Sequence, residues 1–505
     1  MNIRQAKQQL SDTLRAYLAK DALGNYRIPA VRQRPVLLMG PPGIGKTQIM
    51  EQVAAENGVG LVAYTITHHT RQSAVGLPFI EHRSYGGEEV AVTEYTMSEI
   101  LASVYRLMER TGLREGILFL DEINCVSETL APMMLQFLQS KTFGNQRLPE
   151  GWLIAAAGNP PEYNKSVRDF DVVTLDRVKR IDVEEDFAVW KEYAVRKGLH
   201  GAVVSYLDIR KDCFYRIETS QDGPQFATAR GWEDLSELLT VYEELGMQAS
   251  REVIGQYIQL PRIAKDFANY LELYYKYQRT YHVEEVLAGR WQTVTASELR
   301  NAPFDERLSV LGLLFSRLGE SARAARLQDA LVTALHGSLL SLRERIGEGA
   351  GPESALGTLA EGRYAQLRLE REAGRLDPER RSLLQKEAAL LETYQKRLRS
   401  GGQADAMERV REWFRTETET RSALGEDAVR YMDNAFRFLE ESLGQGQEMV
   451  IFVTELTAGY DTSWLIENFG CDAYFRHNQE LLFDDTRRRL REEIAAARAQ
   501  EAGQV

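Results

Sequence analysis

The chain has little of what would place it outside the cytosol. It contains only three cysteines in 505 residues, and Cys125, Cys213 and Cys471 lie far apart, which argues against a disulfide framework or a cysteine-based zinc site. No apolar run approaches the roughly 18 residues that cross a bilayer. Residues 1–7 carry no apolar segment of the kind found in secretory signals. These absences predict a cytoplasmic protein that does not enter a membrane.

Positive charge is also scarce, since 62 lysines and arginines face 74 aspartates and glutamates, for a net charge of −12. Nucleic-acid-binding surfaces need clustered positive charge, so this balance argues against broad contact with nucleic-acid phosphates. The composition, 44% hydrophobic and 27% charged, is typical of a globular protein. At about 150 residues per domain, the length predicts about three domains.

Residues 36–55 have the pattern of a buried strand, a glycine-rich loop and a helix. The loop reads Gly-Pro-Pro-Gly-Ile-Gly-Lys-Thr, a full match to G-x-x-x-x-G-K-[ST]. Glycines let backbone N–H groups close around a phosphate, and the helix N-terminus adds partial positive charge. Lys46 is predicted to reach the β- and γ-phosphates, and the Thr47 hydroxyl to bind Mg²⁺. The predicted nucleotide-binding residues are Gly40, Pro41, Pro42, Gly43, Ile44, Gly45, Lys46 and Thr47.

Two further strands end in polar residues suited to phosphoryl chemistry. Residues 117–120 are apolar and lead into Asp121 and Glu122, the pattern of a Walker B strand. Asp121 is predicted to hold Mg²⁺ and Glu122 to polarise the attacking water, because metal binding and water activation need separate carboxylates. Residues 155–158 form another apolar run, which ends at Asn159. We expect Asn159 between the loop and the carboxylates, within reach of water or the γ-phosphate.

Together these motifs resemble the AAA+ ATPases, and more specifically the MoxR family. Besides the phosphate loop, the similar segments are Leu-Asp-Glu-Ile-Asn at 120–124, Leu-Gln-Phe-Leu-Gln at 135–139, and Leu-Asp-Arg at 175–177, where Val178 replaces the family's phenylalanine. A predicted β-hairpin within residues 68–96 falls where the helix-2-insert clade carries its insertion. The resemblance covers roughly residues 10–280. It implies a ring, usually a hexamer, with ATP bound between neighbours, and it favours ATP over GTP, which the motifs alone do not.

The resemblance also implies two catalytic arginines. Arg177 is similar in position to the arginine finger, donated in trans to the γ-phosphate of the neighbouring subunit, although Arg168 and Arg180 remain alternatives. Arg230 lies where the helix carrying sensor 2 begins, and would contact the γ-phosphate in cis. Helix capping or simple solvent exposure is the alternative for Arg230. The histidines at 68, 69 and 82 lack accompanying acidic ligands and do not predict a metal site.

The pattern of elements predicts an α/β P-loop core with a parallel sheet, a small helical lid and a mostly α-helical C-terminal domain. We place the core at residues 1–195, the lid at 196–284 and the C-terminal domain at 285–505. Strands are predicted at 36–39, 61–66, 117–120, 153–157 and 178–183. Within the C-terminal domain, apolar spacing at 355–400 predicts a helical hairpin. Residues 449–455 fit either a strand or a buried helix.

The resulting interpretation is a Mg²⁺-dependent ATPase whose ring remodels or matures a partner protein. The MoxR resemblance implies that the partner is a von Willebrand factor A-domain protein or another protein client. A nucleotide-gated scaffold with slow hydrolysis is one alternative, and the nucleic-acid motor subunit of a restriction-like system is another. A motor of that kind would need a basic pore or a reading domain, and neither is visible in the sequence.

Overall fold

The structure is a computed structural model that describes residues 1–68, 72, 74, 76–143, 146–163, 167, 170–220, 223–401 and 405–479. The chain divides into two compact units. The sheet unit comprises Met1–Val189 and Glu344–Gly401, and the helical unit comprises Trp190–Arg343 and the chain from Gly402 onward. None of the described helices is both long and apolar enough to cross a lipid bilayer.

The strands are β1 (Val36–Met39), β2 (Gly60–Thr65), β3 (Pro78–Tyr85), β4 (Glu88–Tyr95), β5 (Gly116–Asp121), β6 (Thr142–Phe143), β7 (Gln146–Arg147), β8 (Trp152–Gly158), β9 (Lys179–Asp182), β10 (Arg216–Ser220) and β11 (Gly223–Ala227). The helices of the sheet unit and its boundary are α1 (Ile3–Leu18), α2 (Lys46–Asn57), α3 (Glu99–Thr111), α4 (Ala131–Ser140), α5 (Val172–Leu175) and α6 (Phe187–Lys197). Those that follow are α7 (Gly201–Ile209), α8 (Ala229–Glu244), α9 (Arg251–Tyr257), α10 (Pro261–Tyr281), α11 (Val283–Leu287), α12 (Thr293–Asn301), α13 (Phe304–Gly347), α14 (Pro352–Glu372), α15 (Pro378–Gly401), α16 (Ala406–Leu443), α17 (Gln447–Ala458) and α18 (Tyr460–Phe469).

Five parallel strands form the central sheet, in the order β2-β5-β8-β1-β9. They are the five strands that the sequence predicts, with small differences at their ends. Each is rich in apolar residues because parallel sheets are covered on both faces. Together with the helical C-terminal region, this sheet confirms the predicted fold class. The residues predicted to bind phosphate, metal and water follow β1, β5 and β8, which are neighbours in the sheet.

Alternate residues of each central strand pack into two separate cores. On one face, Leu118 and Leu120 of β5 pack with apolar side chains of α3 and α4. On the other face, Ile117 and Phe119 pack with apolar side chains of α1 and α2. All four strand residues are fully buried. The alternation of side chains along β5 therefore separates α1 and α2 on one face of the sheet from α3 and α4 on the other.

The helical hairpin α14–α15 belongs to the sheet unit, although it follows more than 150 residues of the helical unit in sequence. The predicted domains, which assign residues 285–505 to one C-terminal domain, therefore divide the chain differently from the compact units. Asp377 caps α15, since its carboxylate accepts a hydrogen bond from the Arg380 N–H at 2.8 Å. Arg363 pairs with the buried Glu387 of the facing helix at 2.9 Å. This ion pair joins the two helices of the hairpin.

The helical unit is organised around packed aromatic rings and long helices. Tyr206 of α7 contacts both Trp232 of α8 and Phe267 of α10. The Trp232 indole donates hydrogen bonds to the carbonyl oxygens of Cys213 and Phe214. Residues 449–455, for which the sequence leaves strand and helix open, lie within helix α17.

The buried cation Lys141 in the sheet unit leads to a prediction about the stability of the fold. Lys141, directly after α4, is 5% exposed, and its ammonium donates to Gln33 Oε1 at 3.3 Å. Burial, with a smaller contribution from the charge of Arg147, lowers the pKa of Lys141 to about 8. Below that pH both the folded and unfolded chains carry the proton, so the folded state bears the full cost of a buried charge. Between pH 8 and the ordinary lysine range, the folded chain loses its proton first and its stability rises.

Replacing Lys141 by methionine is therefore expected to stabilise the sheet unit at pH 7. The pKa of Lys141 falls from 10.5 to about 8, and one pKa unit corresponds to about 1.4 kcal/mol. The gain should therefore be at most about 3 kcal/mol, because the substitution also removes the hydrogen bond to Gln33. Urea unfolding at pH 7 and pH 9.5 checks this, since the advantage of Lys141→Met should shrink at the higher pH. A gain that is equal at both pH values would contradict the assignment of the cost to the buried charge.

Candidate functional site

The phosphate loop connects β1 to α2, as the sequence predicts. Gly43 and Gly45 have φ angles of 74° and 92°, in the left-handed region that glycine adopts without steric cost. A Cβ on Gly40 would lie 2.4 Å from the carbonyl oxygen of Val183, so glycine is needed for the loop to start beside β9. α2 begins directly after Gly45, at the end of this loop. The first N–H groups of a helix have no partners within the helix, so this helix start suits the phosphates of a nucleotide.

Lys46 lies at the start of α2 with only 8% of its surface exposed. Its ammonium donates to the carbonyl oxygens of Gly40 and Pro41, both at 2.7 Å, and to Asn159 Oδ1 at 2.9 Å. The ammonium is thus held inside the loop, in contact with the residue that ends β8. This contact brings together two residues that the sequence predicts for the same site.

Asp121 ends β5 beside the phosphate loop. Its Oδ2 accepts a hydrogen bond from the Thr47 hydroxyl at 2.9 Å, and its Oδ1 accepts from the N–H of Glu122, also at 2.9 Å. A hydroxyl and a carboxylate in contact supply oxygen ligands of the kind that Mg²⁺ prefers. Thr47 and Asp121 therefore fit the metal that a bound nucleotide would carry.

Glu122 is held by a residue that sequence reasoning missed. Its backbone has a φ of 56°, which is uncommon for a residue with a Cβ and marks local strain. The Thr67 hydroxyl donates to Glu122 Oε2 at 2.8 Å. Thr67 lies in the 3-10 turn Ile66–His68, directly after β2, the strand beside β5. Since the two strands are parallel neighbours, their carboxyl ends meet, and only the sheet order reveals this.

Asn124 is a second residue that the site uses for support. It is 3% exposed, and its Nδ2 donates to the backbone oxygen of Asn159 at 2.8 Å. A Cβ on Gly158 would lie 2.6 Å from Asn124 Oδ1, so the glycine admits the amide beside β8. Asn124 thereby fixes the backbone of Asn159, whose side chain contacts Lys46.

The candidate arginines lie in different surroundings. Arg177 follows α5, is exposed, and donates a hydrogen bond to Gln139 of α4. Arg180, one alternative finger, pairs with Asp182 at 2.8 Å, and Arg168, the other, lies outside the described residues. Arg230 is exposed in the first turn of α8, in the helical unit, and Thr228 caps that helix instead. The roles of Arg177 and Arg230 remain predictions.

Comparison with known proteins identifies the domain that carries this site. Residues 36–175 match the family described as "ATPase family associated with various cellular activities (AAA)". The search of curated proteins found no match for the chain. The matched segment begins with β1 and ends with α5, so it contains the phosphate loop, Asp121, Glu122 and Asn159. Residues 36–175 are therefore an AAA ATPase domain, set in a longer chain with a mostly helical C-terminal region.

Proposed function

We propose that this chain is a Mg²⁺-dependent ATPase of the MoxR type, which acts as a ring to remodel or mature a partner protein. The observation that carries the proposal is the convergence of Lys46, Asp121 and Asn159 at one edge of the sheet, linked by the hydrogen bonds described above. ATP with Mg²⁺ would supply the phosphoanhydride bond and the metal's charge on the phosphate oxygens. The chain's own residues would bind the nucleotide, orient it, and activate the attacking water.

Each residue has a separate role in this reaction. The N–H groups at the start of α2 and the Lys46 ammonium bind the phosphates, which draws the ammonium away from the carbonyl oxygens it contacts. Thr47 and Asp121 would hold the metal. Glu122 leaves Thr67 and accepts a hydrogen bond from the attacking water, and Asn159 positions that water from the neighbouring strand.

The exposed arginine Arg177 supports the proposal of a ring. Arg177 is exposed, donates to the neutral amide of Gln139, and contributes to lowering the pKa of the nearby Asp171 carboxyl. Its planar, permanently charged guanidinium is of the kind that binds phosphate oxygens. An arginine finger donated in trans makes hydrolysis depend on subunit contact. Self-association, as a hexamer by the resemblance, is therefore part of the proposal.

The ribbon β3–β4 supports action on a protein partner. Its strands pair in register from Pro78 with Tyr95 to Tyr85 with Glu88. Large apolar side chains are exposed on both faces, since Ile80 is 71% exposed on one and Val90 is 43% exposed on the other. A two-stranded ribbon with apolar side chains on both faces fits contact with another polypeptide. A von Willebrand factor A-domain protein is the partner that the resemblance implies.

The hydrogen bond between Thr67 and Glu122 favours one alternative, a nucleotide-gated scaffold with slow hydrolysis. In that case the carboxylate stays bound to Thr67 when ATP binds, and nucleotide binding alone assembles the ring. The two functions differ in turnover, because only an ATPase that performs mechanical work must cycle while its partner is bound.

The Glu122→Gln variant tests the proposal, because its amide keeps the size of the carboxylate while it activates water poorly. With ATP and Mg²⁺, we expect a closed ring in native mass spectrometry and retention of a co-expressed partner. Ile80→Asp in that background should keep the ring and lose the partner, whereas Val241→Asp, at an exposed apolar residue of α8, should keep both. A monomer in the presence of ATP, or wild-type turnover by Glu122→Gln, would contradict the proposal.

A further inference from the structure

The turn of the hairpin α14–α15 contacts the open edge of the central sheet. β2 is the terminal strand on that side, and its Leu61 N–H donates to the carbonyl oxygen of Ala373 at 3.1 Å. Ala373 is fully buried. Gly374 follows with a φ of 69°, and a Cβ there would lie 3.1 Å from the Leu61 oxygen. The turn therefore fits closely against β2, and α14 also packs against α3.

The same turn approaches the end of the phosphate-loop helix. Gly58 caps α2 in the left-handed conformation, and a Cβ there would lie 3.9 Å from Arg375 Nη1. A guanidinium beside a helix C-terminus interacts favourably with the helix dipole. The hairpin turn therefore contacts the start of β2 and lies beside the end of α2. At their opposite ends, β2 leads into Thr67 and α2 begins with Lys46.

We propose that the hairpin α14–α15 is a brake on ATP hydrolysis, which acts by holding β2 in the position that keeps Thr67 on Glu122. This proposal rests on the proposed ATPase function and names its regulation. It assigns Ala373, Gly374 and Arg375 as positioning residues, since none of them belongs to the phosphate loop or the carboxylate pair.

The strand itself provides the mechanical connection. From Leu61 to Thr65 the strand covers about 13 Å, at about 3.3 Å per residue, and Thr67 follows in the turn Ile66–His68. Along this length β2 pairs with β5 from Gly60 opposite Gly116 to Thr65 opposite Asp121. A shift of β2 at Leu61 thus changes the position of Thr67 relative to Glu122, which immediately follows β5. Loss of the Thr67 contact removes the hydrogen bond that holds the Glu122 carboxylate in its present orientation.

The connectivity of the hairpin identifies where a signal would enter. α13 precedes it and α16 follows it, and most of α13 and all of α16 belong to the helical unit. α13 runs continuously from the helical unit into the sheet unit, so a partner that binds the helical unit would act on the hairpin through this helix. Release of the turn from Leu61 would free β2 and allow Glu122 to leave Thr67.

The variant Gly374→Ala tests the brake. Its Cβ is strained at positive φ and crowds the Leu61 oxygen, so the turn should separate from β2. Gly349→Ala is the matched control, because Gly349 also has a positive φ but nothing lies within 4 Å of an added Cβ. Relative to this control, we expect Gly374→Ala to increase steady-state phosphate release about three- to tenfold, a change of about 1 kcal/mol in the barrier. Faster hydrogen exchange in residues 59–65 should accompany it.

A double-variant experiment separates the brake from general loosening. Thr67→Val should also raise turnover, and adding Gly374→Ala to it should raise turnover no further, because both act on one contact. If Gly374→Ala folds poorly by circular dichroism, Arg375→Ala replaces it, with the exposed Arg371→Ala as control.

Three results would overturn the brake: turnover of Gly374→Ala equal to or below that of Gly349→Ala, multiplicative effects in the double variant, or unchanged exchange in residues 59–65. Failure of the proposed function looks different. A wild-type chain without ATP turnover removes the reaction itself, whereas normal wild-type turnover with any of these three results overturns the brake alone.

Discussion

Lys46→Ala is expected to abolish tight nucleotide binding while the helical unit stays folded. The Lys46 ammonium lies inside the loop, and in the nucleotide complex it would bond to the β- and γ-phosphates. Hydrogen bonds to charged groups contribute about 1.5–3 kcal/mol each. Loss of two such bonds weakens affinity by roughly 100- to 10,000-fold, since about 1.4 kcal/mol corresponds to tenfold.

Titration with a fluorescent ATP analogue measures this loss, and circular dichroism monitors folding. Lys7→Ala is a suitable control because it removes a lysine of the same unit that pairs with Glu56 at the surface. The control should bind nucleotide as the wild type does. Affinity of Lys46→Ala equal to that of Lys7→Ala would refute the assignment of the phosphate loop.

Arg177→Ala is expected to lose roughly 10³- to 10⁵-fold in turnover while it retains ATP affinity, the effect typical of an arginine finger. The guanidinium would act on charge that develops only in the transition state, so ground-state binding should change little. Arg180→Ala is the matched control, because Arg180 lies nearby in β9 and pairs with Asp182. If Arg180→Ala loses turnover and Arg177→Ala keeps it, the finger is Arg180.

The role in trans gives a second measurement on the same variant. Arg177→Ala and Glu122→Gln are each inactive, but a mixed ring contains interfaces that join an intact Glu122 to an intact Arg177. In an equal, random mixture such interfaces are at most about a quarter of the total, which sets the expected recovery of turnover for a finger supplied in trans. Persistent inactivity after confirmed subunit exchange would count against this role.

The sequence predicts the parts of the site that lie within single continuous segments of the chain. Residues 36–39 and 117–120 are identifiable as buried strands because both faces of a parallel strand are apolar. The phosphate loop and the carboxylates follow these strands directly, so their placement needs no knowledge of the tertiary structure. The contact between Lys46 and Asn159 depends in addition on the order of the strands, since β8 lies beside β1 in the sheet.

What the sequence does not predict depends on contacts between distant segments. Thr67 is an ordinary threonine in the sequence, and its relation to Glu122 exists only because β2 neighbours β5. The hairpin α14–α15 has a helical pattern, but periodicity does not tell which unit it packs against. Residues 449–453, at the start of the segment 449–455, are apolar on consecutive positions, which suits a strand and a buried helix equally. In the structure this segment packs within the helical unit as part of helix α17.

The contact of Ala373 with Leu61 also imposes an order on folding during synthesis. The two residues are more than 300 positions apart, and at about 5–20 residues per second the ribosome needs roughly 15–60 s to make the intervening chain. During that interval the sheet can form from its own strands, but the outer edge of β2 lacks its covering turn. Uncovered edges pair with other strands and promote aggregation. The nascent chain thus carries an uncovered β2 edge until the hairpin emerges, and a fragment truncated before residue 344 would keep that edge uncovered.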